Sequence, residues 1–143
     1  YRRQRQMCIR DSAQHPSRVF YISLFRQMLK KISTLQDKQG FWHSSLLDTA
    51  SYPMPETSAS GFFTYSLFWG LNHGYLEKEE YLPIAKKAWN ALASVVHEDG
   101  KIGYVQPIGA DPKKVDINDT EVYGTGAFLL AATEYVKYLK HTK

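Results

Sequence analysis

Apolar residues recur at three- and four-residue steps in four stretches of the chain, separated by long irregular segments. From Ser17 to about Leu35, the residues Tyr21, Leu24, Phe25, Met28, Leu29, Ile32 and Leu35 share one stripe, which predicts an amphipathic helix. Lys30 and Lys31 stand near its end, where cations suit the helix dipole. From Thr57 to Asn72 the chain is apolar nearly all round, which predicts a helix buried on most sides and ended by Gly74. A third helix, amphipathic again, is expected over about Lys78 to His97. Its stripe is Leu82, Ala85, Ala88, Trp89, Leu92, Val95 and Val96, with Pro83 in the first turn. The fourth runs from about Thr120 to Lys140 and opens with "NDTE", where Asn118 or Asp119 can cap and Glu121 can answer back. Its first half, with Ala127 to Ala132, is apolar on every side. Pro53 and Pro55 forbid helix in the first irregular stretch. Short extended pieces are expected at most near Phe41–Ser44 and Tyr104–Gln106.

The two halves of this pattern register at a constant offset of 63 residues. Gly40 falls on Gly103, Phe41 on Tyr104, Asp48 on Asp111, Glu56 on Asp119, Thr57 on Thr120, Gly61 on Gly124 and Leu67 on Leu130, with no gap. The repeated unit is an amphipathic helix, a Gly-aromatic turn, a long loop and an acid-led buried helix. One half-exposed and one enclosed helix per repeat imply two concentric layers, an all-α toroid or solenoid. Each long loop falls where the chain passes from outer to inner helix. The loops therefore gather on one rim, together with Trp42, His43, Glu56, Tyr104, Gln106, Asp119 and Tyr123.

Composition narrows the function classes. With 143 residues and 43% hydrophobic content, the chain can build one domain with a real core. The formal charge of +4 is concentrated at one end. Arg2, Arg3, Arg5 and Arg10 oppose Asp11 alone within residues 1–12, and the remaining 131 residues carry 14 basic and 13 acidic groups. The body thus lacks the basic face a nucleic-acid partner would need. The leading "YRRQRQMCIRDS" resembles a translated sequencing adapter and is set apart from the fold, which is read from residues 13–143. The single cysteine, Cys8, lies in that stretch, so the body forms no disulfide. No run is apolar enough to span a bilayer, and the five histidines show no paired-ligand spacing, so neither a membrane nor a metal or other cofactor is expected. The compartment stays open between bacterial cytoplasm and periplasm.

The stretches "GFWHSSLLDTASYPMPETSASGFFTYSLFWGLNHGYL" and "NDTEVYGTGAFLLAATE" resemble the C-terminal part of glycoside hydrolase families 88 and 105. These are the unsaturated glucuronyl and rhamnogalacturonyl hydrolases, and the similarity spans about Val19 to Leu139. The resemblance implies that two helical hairpins here belong to a six-hairpin (α/α)6 barrel. It implies an oligosaccharide substrate ending in an unsaturated uronic acid, whose C4–C5 double bond is hydrated. One carboxyl group protonates the vinyl ether and activates water, and the hemiketal so formed opens and releases the neighbouring sugar. Ordinary glycosidases instead pair two carboxylates. The family's acid/base aspartate belongs to an earlier inner-helix end, no segment here matches its motif, and no catalytic residue is assigned.

The rim residues then have two readings each. Glu56 and Asp119 serve as helix caps or as contacts to sugar hydroxyls. Trp42 and Tyr104 are stacking faces or packed loop anchors. His43 is read as a donor facing the cleft. The substrate-binding set on this reading is Trp42, His43, Glu56, Ser58, Thr120 and Tyr123. Gly61 and Gly124 are read as sites of close inner-helix packing. As a partial barrel, the chain is expected to expose an apolar patch from Phe62, Phe63, Phe68, Phe128 and Leu129. The alternative is a non-enzymatic helical-repeat module that binds other proteins. Its contact surface would be a long concave face, whereas the polar and aromatic residues here collect on one rim.

Overall fold

The computed structural model describes residues 15–141, so the adapter-like segment and Cys8 lie outside the described residues. Four α-helices follow one another: α1 (Arg18–Ser33), α2 (Thr57–Asn72), α3 (Lys78–Ser94) and α4 (Val122–His141), with a 3-10 turn at Pro112–Lys114 before the last. The only β pairings among the described residues are the isolated bridges His43–Pro55 and Val96–Ile102. The first falls on the predicted extended piece. The second lies upstream of the predicted Tyr104–Gln106, where Tyr104 takes a left-handed φ of 56° that no strand can accommodate.

Helix α2 begins and ends as its sequence predicts. Glu56 caps its first turn, the C-cap is His73, and Gly74 follows with φ +67°. Of its residues Phe62 alone is exposed, consistent with an inner helix. Helix α3 carries Glu79 and Glu80 in its first turn, where acids suit the dipole. Pro83 lies inside this helix and not in its first turn, on the exposed side where water can satisfy the freed carbonyl. The helix also stops three residues early, because Val96 leaves it to pair with Ile102. Helix α4 starts at Val122, which leaves Asn118 and Asp119 outside the capping position.

The inner helices α2 and α4 run parallel and in contact along their length. Gly61 meets Ala127, Phe68 meets the tilted ring of Tyr135 at 4.9 Å, and the Asn72 side-chain amide donates to the Glu134 carboxylate at 2.8 Å. A Cβ on Gly61 would fall 2.9 Å from that of Ala127, the close packing expected of it. Outer helix α3 packs chiefly on α2 and reaches α4 through side chains alone, with Trp89 stacked on Phe128 at 5.3 Å and Lys78 over the Tyr138 ring. Outer helix α1 meets α2 more sparsely, through Phe25 against Trp69. One buried cluster holds Leu29, Trp42, Leu67, Phe68, Leu76, Ala85, Ala88 and Tyr138 between these layers. A second, under the rim, joins Phe41, Ala91, Val95, Ile102 and Val105.

The repeat is visible in the backbone. Glu56 N–H donates to the Trp42 carbonyl, and at the equivalent pair Val105 N–H donates to the Asp119 carbonyl. A histidine holds the returning arm of each loop at equivalent carbonyls: His43 at Met54 and His97 at Ile117. Asp48 and Asp111 each accept a downstream amide, from Ser51 and Lys113, and so nucleate a turn at the same point of both loops. Gly40 and Gly103 both stand where a Cβ would strike a carbonyl oxygen, of Lys87 and Ile117 respectively.

Two faces are left open. On α1, Val19, Phe20, Tyr21, Leu24 and Met28 are exposed, so only Leu29 of the predicted stripe is fully buried. On α4, Val122, Leu129, Leu130, Val136 and Leu139 are exposed, and its first half is not enclosed as its composition suggested. Phe62 and Leu129 are 47% and 57% exposed as expected of cut edges, whereas Phe68 is fully buried between the inner helices.

Candidate functional site at the loop rim

The rim is built where the inner helices begin. The Glu56 carboxylate accepts from the amides of Ser58 at 3.2 Å and Ala59 at 2.6 Å, and from the Ser58 hydroxyl at 2.9 Å. It also accepts from the Gln106 amide at 3.3 Å, on the other repeat's loop. The adjacent Thr57 gives its amide to the Tyr104 carbonyl and its hydroxyl to the Gly103 carbonyl at 2.8 Å. Helix α2 thus presents its free N-terminal donors and a carboxylate to the loop of the second repeat, which docks on them. Lys113 sits 5.4 Å over the Tyr52 ring and closes the same junction further out.

Gln106 is held from both sides. Its carbonyl accepts from the Tyr123 hydroxyl, and its side-chain amide donates to the carbonyls of Pro107 and Ala110. Its Oε1 is buried without a protein partner. Burial pushes the Tyr123 hydroxyl above its usual range, and the charges of Glu121 and Glu56 add to the effect. Hydrogen bonds from Ser51 hold the exposed Asp48 carboxyl below its usual range, with the Lys113 charge adding to them.

The sequence-derived set separates into two groups. Trp42 is 0% exposed, its Nε1 donates to the Ile32 carbonyl at 2.8 Å, and its ring meets the edge of Phe63. No face of it is free for a sugar, so Trp42 is a core anchor and not a stacking platform. His43 is also closed off. Its side chain is 9% exposed, with Nδ1 on the Met54 carbonyl at 3.0 Å and Nε2 on Asp37 Oδ2 at 3.1 Å. Glu56 is 6% exposed and saturated with donors, the capping reading of that residue. Asp119 does not cap, and its carboxylate takes the Asp116 amide at 2.9 Å instead. Ser58 is half-buried, Tyr123 half-buried and Thr120 exposed, so these three keep surface open to solvent.

Asp37 escaped the sequence reading. Its Oδ1 accepts three successive amides, of Gln39, Gly40 and Phe41, and its Oδ2 faces His43. The signal was present in "DKQGF": an Asp three before a glycine is a turn-forming pattern. Among the described residues, no group of three or more His, Cys, Asp or Glu side chains could hold a metal ion.

Comparison with known proteins gives this rim its setting. The chain is 48% identical over 120 residues to the unsaturated 3S-rhamnoglycuronyl hydrolase of Formosa agariphila, covering 84% of this chain and 32% of that protein. A family 88 glycosyl hydrolase from Bacteroides vulgatus superposes with a TM-score of 0.85 at 44% identity, over 89% of this chain and 38% of that one. A solved structure described as a polysaccharide lyase superposes with a TM-score of 0.88 at 46% identity, over 92% of this chain and 39% of that one. The two hairpins are therefore part of an (α/α)6 toroid, and the chain spans about a third of the length of these relatives. Residues 11–139 match the sequence profile of Glycosyl Hydrolase Family 88, and the chain belongs to that family.

Proposed function

We propose that this chain is the substrate-wall segment of an enzyme that removes a terminal unsaturated uronic acid from an oligosaccharide. The observation that carries the reading is the 48% identity to an unsaturated rhamnoglycuronyl hydrolase across 84% of the chain. In that reaction water adds across the C4–C5 double bond, the proton to C4 and the hydroxyl to C5. The ring opens at the resulting hemiketal, and C1 releases the next sugar. A carboxyl group placed outside this segment handles the proton. The rim supplies contacts: Ser58 and Thr120 offer hydroxyls, and Tyr123 offers a ring face beside them. Trp42, His43 and Glu56 support these residues from beneath and do not touch the sugar.

The lyase description of one similar structure favours a second reading. A lyase creates the C4–C5 double bond by elimination, whereas the hydrolase consumes it. One assay separates them. A protein carrying the whole family domain is incubated with an unsaturated uronyl oligosaccharide and with the saturated parent polysaccharide. Loss of the ultraviolet absorbance of the conjugated enol-ether acid supports the hydrolase. A gain on the saturated polysaccharide supports the lyase. The 143-residue chain alone is expected to leave both substrates unchanged.

A further inference from the structure

We infer that Glu56 is a positioning residue, which together with Tyr123 clamps Gln106 and sets the second rim loop, residues 104–118, against the substrate. The inference rests on the proposed activity for its kinetic arm alone. An N-cap needs no more than the two amides of its own helix. Glu56 takes those of Ser58 and Ala59 and, in addition, the Gln106 amide 50 residues away, from a carboxylate 6% exposed. The Tyr123 hydroxyl takes the Gln106 carbonyl from the opposite side. The peptide at Gln106 is therefore gripped at N–H and C=O by the leading ends of two different inner helices. The residue two before it, Tyr104, is held at φ 56° between the Asp116 carbonyl and the Thr57 amide. A tyrosine in that conformation persists only where its surroundings hold it there. The equivalent acid in the second repeat, Asp119, is one methylene shorter and, among the described residues, its carboxylate takes the Asp116 amide of its own loop.

Shortening Glu56 to aspartate tests the clamp apart from the cap, because aspartate is among the best N-caps but falls short of Gln106. In a protein carrying the whole family domain, Glu56→Asp is expected to speed amide exchange across residues 104–118 by about tenfold or more while leaving the amides of Ser60 to Leu71 protected. KM for an unsaturated oligosaccharide should rise about tenfold with kcat nearly unchanged. Tyr123→Phe, which keeps the ring face and removes the hydroxyl, should shift the same amides and KM in the same direction. Exchange at 104–118 unmoved by both variants overturns the clamp. Faster exchange with an unchanged KM, or a lower kcat at constant KM, overturns the positioning role. If the parent protein turns over no unsaturated oligosaccharide, the activity reading fails, and the exchange data still decide the clamp.

Discussion

Gly61 lies so close to Ala127 that a Cβ added to it would meet the Ala127 Cβ at 2.9 Å and its backbone carbon at 3.1 Å. This contact joins the two inner helices near the rim. Gly61→Ala gains helix propensity of about 1 kcal/mol but forces the helices apart, an overpacking cost of about 1–3 kcal/mol. A net destabilisation of up to about 2 kcal/mol is expected by denaturant unfolding of a protein carrying the whole domain.

Trp42 governs stability and not affinity. Trp42→Ala leaves a large cavity and removes one hydrogen bond from the Ile32 carbonyl, which keeps the Leu35 amide, at a cost of about 3–5 kcal/mol. Trp42→Phe should cost less, because it keeps most of the ring packing. Unfolding free energies check both, and KM measured on the folded fraction of Trp42→Phe should stay near the parent value.

Glu134 is expected to shape the acid limb of stability. Its burial opposes ionisation, but the contacts with Lys137 and Asn72 and the Lys137 charge outweigh this, and its carboxyl titrates below the ordinary value of 4.5. A carboxyl depressed in the folded state contributes stability that is complete above its unfolded pKa and is lost as pH falls through the folded one. Stability should therefore decline below about pH 4.5. Glu134→Gln should flatten that part of a Tm-against-pH curve.

The open faces of α1 and α4 predict the behaviour of the 143-residue chain on its own. Phe20 and Met28 on one side, and Leu129 and Val136 on the other, exceed what a monomer normally exposes. The chain should bind a hydrophobic dye strongly, and Phe20→Glu with Leu129→Glu should reduce the binding. A sharp, cooperative melt of the monomeric chain without dye binding would contradict this.

The helices and the repeat were legible because they depend on periodicity, which survives in a single sequence. The pairs at Met54 and Ile117 and at Asp48 and Asp111 follow the same 63-residue register. The orientation of the rim side chains was not legible. An exposed stacking tryptophan and a buried anchor have the same neighbours in sequence, and Trp42 is decided by the Ile32 carbonyl and the Phe63 ring. His43 is decided by its contact with Asp37, six residues before it, which no periodicity marks. The reach of Glu56 to Gln106 crosses 50 residues and leaves no local pattern.

The central claim is that this segment builds the wall of the site and does not supply its proton-transfer group. The rim aspartates test it most directly. Asp48, Asp111 and Asp119 each have a carboxylate engaged with loop backbone, at Ser51, Lys113 and Asp116. In a protein carrying the whole domain, Asp48→Asn, Asp111→Asn and Asp119→Asn are each predicted to keep kcat on an unsaturated uronyl oligosaccharide within about tenfold of the parent. Loss of turnover by several orders of magnitude from any one of them, in a protein that remains folded, would place the acid/base group on this rim and contradict the account.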